Sequence, residues 1–188
     1  MHSAGAATRP PDGRSGSGFP GSTGGGAPPA DGAMNDLSSL LTVDAIDAGL
    51  NVANKKALFQ LLGVAASRIT GVPAKAIVSA VSEREKIGST GFGSGVAIPH
   101  GKIEGLERIC GYFARLAHPI DFQAVDNLPV DIVFLILSPP DAGADHLKAL
   151  ASVSRVLRDR NTVAKLRGAR SRDAIFALLA GVETLNAA

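Results

Sequence analysis

Between Val130 and Leu137 the chain reads Val-Asp-Ile-Val-Phe-Leu-Ile-Leu, with Asp131 its one polar residue. A strand that faces water on one side alternates apolar with polar residues. One that is apolar at successive positions has to be covered on both faces. The run is much shorter than the roughly 20 residues of a membrane helix, and Asp131 interrupts it. It therefore reads as a buried strand, and the rest of the chain has to cover it. Arg108 to Leu116 and Val96-Ala97-Ile98 read as further strands.

Helical spacing surrounds these strands. Leu58, Leu61, Leu62, Ala65 and Ile69 follow it from Asn54 onward, and Gly71 with Pro73 stops that helix. A second helix runs from Pro73 with Ile77, Val78 and Val81 as its stripe. From Asp145 the stripe is Leu147, Leu150, Ala151, Ser154 and Leu157. A last helix opens with Ser171 as N-cap and carries Ile175, Phe176, Leu178 and Leu179. No internal repeat is visible. Helices before, between and after strands predict the α/β class, a mixed β-sheet flanked by helices.

This patterning stops short of the N-terminus. Residues 1–33 hold nine of the chain's 22 glycines and five of its 11 prolines, and Phe19 is their only large apolar side chain after Met1. Such a segment cannot bury enough surface to offset its ordering entropy, so 1–33 reads as a disordered extension and 34–188 as the folded domain. The extension lacks the apolar core of a secretory signal, and its glycines and prolines spoil an amphipathic transit helix. The net charge of +2 argues against the basic face of a nucleic-acid binder. One cysteine, Cys110, cannot form an intramolecular bridge, which suits a reducing compartment. A cytoplasmic protein without membrane insertion is the expectation.

The chemistry concentrates between Arg84 and Lys102. Nucleotide motifs fail there. A dinucleotide fingerprint starting at Gly91 or Gly93 needs Gly or Ala where Val96 and Ile98 stand, and a P-loop ending in Gly101-Lys102 needs glycine at 96 and a hydroxyl at 103. What remains is His100, delivered by a buried strand between Pro99 and Gly101. A neutral imidazole is a good nucleophile near neutral pH. A structural histidine at a strand end fits the same spacing, so both readings stand on spacing alone. Cys110 falls in an apolar strand pattern and reads as core. A zinc site from His100, His118 and His146 has no short ligand spacing or cysteine cluster behind it.

The stretch Gly88-Ser89-Thr90-Gly91-Phe92-Gly93, followed by Val96-Ala97-Ile98-Pro99-His100-Gly101-Lys102, resembles the IIA proteins of the bacterial phosphoenolpyruvate-dependent phosphotransferase system. The match is to the fructose/mannitol superfamily, nearest its nitrogen-regulatory type. It continues through Pro129–Leu135 and Ala142–Lys148 and covers essentially all of 34–188.

The resemblance implies a phosphocarrier and regulator with a phosphohistidine intermediate, needing neither a cofactor nor a metal ion. His100 would accept a phosphoryl group from a small histidine phosphocarrier protein, and His146 would donate an N–H to a phosphoryl oxygen. Arg84 would contact the phosphate or a partner, although Glu83-Arg84-Glu85-Lys86 also looks like a solvated helix end. Gly91, Gly93 and Gly95 would shape the approach to His100, with turn geometry as an equal explanation. Phe92 and Ile103 would be parts of an apolar docking rim, with a place in the core as the other reading of both. The regulatory partners would be protein targets. Two alternatives remain: a sugar-specific subunit passing phosphate to a IIB partner, and an interaction module that is never phosphorylated. The chain lacks a P-loop and the kinase signature set, so ATP is not the expected donor.

The extension gives the first prediction. A chain starting at Met34 should keep the melting temperature and the phosphotransfer of the full chain. A clear drop in either on deletion would contradict a disordered 1–33.

Overall fold

The computed structural model describes residues 36–181, and the expected extension lies outside them. A 3-10 turn, Val43–Ala45, leads into β1 (Ile46–Leu50), α1 (Lys55–Thr70), α2 (Ala74–Ile87) and three short strands. These are β2 (Gly91–Gly93), β3 (Val96–Ala97) and β4 (His100–Lys102). The long strands β5 (Cys110–Ile120) and β6 (Val130–Ser138) follow, and then α3 (Gly143–Arg158), α4 (Arg160–Gly168) and α5 (Arg172–Leu179).

The strands form one sheet in the order β1-β5-β6-β3-β2, with β4 also paired to β6. β1 is parallel to β5, β5 antiparallel to β6, and β3 and β4 both parallel to β6, which makes the mixed sheet the sequence predicts. Every residue from Ile132 to Ser138 is buried, so both faces of β6 are covered. Full burial of each large apolar side chain there contributes roughly 1.5–3 kcal/mol, an upper estimate because the unfolded chain already hides part of that surface.

Ile98 and Pro99 separate β3 from β4 without breaking register. Val96 pairs with Ile132 and Ala97 with Val133, and pairing then resumes one for one at His100 with Ile136 and Lys102 with Ser138. Pro99 offers no N–H, yet its carbonyl accepts from Ile136 N at 3.0 Å. One extended segment therefore carries His100 alongside the C-terminal end of β6. α1 packs on α2, and α2 lies against β4. A Cβ at Gly101 would stand 3.3 Å from the Ala80 carbonyl carbon and Val81 nitrogen, so glycine is what lets α2 approach that strand. α3 lies against β6 and touches α4, and α5 reaches β1.

The caps follow the sequence: Asn54 accepts from Ala57 N at 2.9 Å and Ser171 from Ala174 N at 3.1 Å. Two helical stripes are turned from those expected. On α3 the buried residues are His146, Ala149, Val153, Val156 and Leu157, while Leu147 is 66% exposed. On α1, Phe59 and Ala66 enter the core, and Leu61 and Ile69 lie at its exposed margin. β5 also runs past Leu116 to Ile120, with a register irregularity that accommodates Pro119.

β1, β2, β4 and α4 are additions to the sequence reading. β1 contains Asp47 and Gly49, both disfavoured in strands, and exists through its pairing with β5. α4 buries only Val163 and Leu166 and is held at both ends. Asp159 accepts from Asn161 N and Thr162 N, and Arg115 of β5 donates to the carbonyls of Leu166, Arg167 and Ala169.

Gly101→Ala should push α2 away from β4, because the atoms in its path are the Ala80–Val81 backbone and the Cβ of Ala80, none of them the end of a flexible side chain. The expected loss is about 1–3 kcal/mol in urea unfolding. An unchanged midpoint would show that the two elements can separate freely.

Candidate active site

His100 and Ser138 lie on neighbouring strands, and a short link after Ser138 leads into α3, whose first turn carries His146. The two imidazole rings meet with centroids 5.6 Å apart and planes tilted by 49°. His146 is buried at 9% exposure and His100 is half-buried, so only a limited edge of the pair faces solvent.

The hydrogen bonds of His100 fix its tautomer. Nδ1 lies 2.8 Å from the Ile98 carbonyl oxygen, which can only accept, so Nδ1 carries the proton. Nε2 therefore holds the lone pair, and it accepts from Arg84 Nε at 3.1 Å. Contacts from two different elements agree on this assignment. The Arg84 side chain is also tied down through Nη1, which donates to Gly88 O at 3.0 Å.

The four-residue charge run at the end of α2 divides in two. Glu83 and Lys86 pair with each other on the exposed face at 2.5 Å. Arg84 and Glu85 turn inward. Glu85 accepts from Lys55 Nζ at 2.9 Å, from Thr90 N at 3.1 Å and from Thr90 Oγ1 at 2.5 Å. Lys55 also stands 4.5 Å from the centre of the Phe122 ring. This largely buried network anchors the Gly88–Thr90 link and so holds the end of α2 that presents Arg84.

His146 has its own partner, Ser138, whose Oγ lies 2.6 Å from Nδ1. Ser138 was not among the candidates, because a serine ending an apolar strand has no spacing signature. Burial lowers the pKa of both imidazoles below the ordinary histidine value. For His100 the Ile98 carbonyl opposes the shift, Arg84 adds to it and Glu85 opposes it. For His146 the neighbouring His100 and Lys102 add to it. Both rings are thus neutral near pH 7, and the groove can offer one ring's lone pair and another ring's N–H together.

Ala80, Glu83, Arg84, Lys86, Ile87 and Lys102 complete the groove around the two histidines. Ile87, at 83% exposure, is its apolar rim. The rim expected from Phe92 and Ile103 is not there. Ile103 is core at 2% exposure, and Phe92 packs under Arg158, with the guanidinium 6.0 Å from its ring centre. Gly93 and Gly95 serve the β2–β3 turn, where both take positive φ, next to Asp126 and Arg167. His118 is exposed on β5, and among the described residues no group of three or more His, Cys, Asp or Glu converges. Burial pushes the Cys110 thiol up, away from thiolate character.

The mixed sheet thus brings two imidazoles together at the C-terminal end of its central strand, β6. Residues 39–182 match the family described as "Phosphoenolpyruvate-dependent sugar phosphotransferase system, EIIA 2", and the chain belongs to that family. Proteins of this family act in phosphotransfer.

Among its relatives is a "Nitrogen regulatory protein" of Bradyrhizobium diazoefficiens, 49% identical over 144 residues that cover 77% of this chain and 94% of that one. A "Nitrogen regulatory protein" of Escherichia coli is 36% identical over 148 residues, covering 78% of this chain and 91% of that one. The crystal structure of nitrogen regulatory protein IIA-Ntr from Neisseria meningitidis superposes with a TM-score of 0.72 at 32% identity, over 75% of this chain and 97% of that one. IIA mannitol from Escherichia coli shares the fold, with a TM-score of 0.64 at 23% identity over 74% of this chain and 99% of that one. Among the described residues no helix is long and apolar enough to cross a membrane.

In an NMR titration His100 and His146 should both protonate below the ordinary histidine range. A midpoint at or above that range for either ring would contradict the burial and charge environment described.

Proposed function

We propose that the protein is a regulatory phosphocarrier of the nitrogen type, in which His100 Nε2 takes a phosphoryl group from a phosphohistidine on a small carrier protein. The observation that carries this reading is the His100 tautomer. Nδ1–H is held on the Ile98 carbonyl and the Nε2 lone pair lies in a groove shared with a second histidine. The names of the relatives at 49% and 36% identity support the regulatory branch over sugar import.

The Nε2 lone pair forms the new N–P bond as the donor's P–N bond breaks and that electron pair returns to the donor's imidazole. Positive charge grows on the His100 ring, and the Ile98 carbonyl stabilises it by accepting from Nδ1–H. Arg84 has to leave the lone pair before attack. Its guanidinium then lies beside the incoming oxygens, where a charge-assisted pair is strong. His146 donates to another oxygen. The task is positioning and electrostatic stabilisation, as in phosphoryl transfer generally. Ile87 gives the carrier an apolar contact at the groove's edge, and Arg84, Lys86 and Lys102 give it basic ones. The added phosphate charge lets target proteins distinguish the two forms without refolding.

Purified protein should gain one phosphoryl mass only when phosphoenolpyruvate, the first enzyme of the relay and the histidine carrier are all present, and the product should be acid-labile. His100→Ala should abolish labelling. His146→Ala should slow it by roughly a hundredfold, the size of losing one transition-state donor. Ile87→Glu should raise the carrier concentration needed, with little change in the maximal rate. Incorporation from ATP alone, or phosphate mapped to His146, would overturn the proposal.

A further inference from the structure

We propose that Ser138 is a positioning residue for this transfer: its buried hydroxyl donates to His146 Nδ1 and so holds His146 in the tautomer with its proton on Nε2. The inference rests on the reading of His100 and His146 as a phosphotransfer pair and adds a third residue to it.

Ser138 ends a strand whose residues from Ile132 onward are otherwise all apolar, and it is 0% exposed. An alanine there would fill the end of β6 without a buried polar atom, so the hydroxyl has to be explained. A buried O–H needs an acceptor for its proton. Among the described residues His146 Nδ1, at 2.6 Å, is the one hydrogen-bond partner of Ser138 Oγ. Were the ring to donate instead, the serine proton would have nowhere to go. The bond therefore runs from serine O–H to Nδ1, and the ring proton sits on Nε2, at the edge of the ring away from Ser138.

That assignment makes the two histidines complementary. His100 carries Nδ1–H against a carbonyl and presents a lone pair on Nε2. His146 carries a lone pair on Nδ1 against a hydroxyl and presents an N–H on Nε2. A neutral imidazole can hold its proton on either nitrogen. In the wrong tautomer His146 would meet a phosphoryl oxygen with a lone pair and repel it. The pairing of Lys102 with Ser138 ties the hydroxyl to the strand that delivers the nucleophile, so one register places both.

Long-range proton–nitrogen NMR of the full chain tests the assignment. The wild type should show His146 with a bare Nδ1 and a protonated Nε2. Ser138→Ala should give mixed tautomers, and Ser138→Thr, which keeps the hydroxyl, should restore the single form. In single-turnover transfer from the phosphorylated carrier, Ser138→Ala should be roughly tenfold slower, with this deficit lost in a His146→Gln background. An unchanged melting temperature would separate this from unfolding. A protonated Nδ1 in the wild type, or equal slowing in both backgrounds, would overturn the proposal. If the wild type took no phosphoryl group the pair itself would be misread, while the ring-nitrogen spectrum would still decide whether Ser138 sets the tautomer.

Discussion

The parallel pairing of residues 96–102 with β6 is the constraint on which the site depends. It brings His100 level with Ile136 and puts Lys102 beside Ser138, at the end of the strand from which the chain turns into α3. Side chains alternate across a strand, so a slip of one residue would turn His100 to the opposite face and send Gly101 toward His146. Two residues guard that register. Pro99 keeps the segment extended and still supplies its carbonyl to Ile136. Gly101 lets α2 close on the strand, and the same helix brings Arg84 to His100.

Once the register is set, electrostatics makes the pair usable. Two imidazoles within 5.6 Å would repel as cations, and burial makes protonation costlier still. Arg84 and Lys102 push in the same direction, because a nearby positive charge disfavours a second one. The same cations favour an arriving phosphoryl group. One arrangement thus keeps the His100 Nε2 lone pair free of a proton and surrounds it with positive charge suited to an anion. Glu85 does not cancel this, since its carboxylate is engaged by Lys55 and Thr90.

Much of this architecture was legible in the sequence, and the exceptions share a cause. β6 announced itself because burial on both faces leaves an apolar run with a single polar residue, Asp131. Asn54 and Ser171 announced their helices because capping is local chemistry. His100 stood out in the block around Pro99-His100-Gly101, and His146 and Arg84 came from the family resemblance; the structure brings those three side chains together. β1 and α4 were not legible, because their own residues are weak formers and partners across the fold hold them. Ser138 carried no signal, since its importance comes from the helix that returns over it. Ile87 drew no reading from the sequence, and its exposure beside the groove is what marks it. Phe92 and Ile103 do not form the rim: Ile103 takes the other reading and is core, and Phe92 lies under Arg158.

The central claim is that His100 uses Nε2, because Nδ1 is committed to the Ile98 carbonyl. Phosphorus–nitrogen coupling in the nitrogen-labelled, phosphorylated protein tests it most directly. The account predicts coupling to Nε2 of His100, with Nδ1 still protonated. Coupling to Nδ1 of that ring, or to any other histidine, would contradict it.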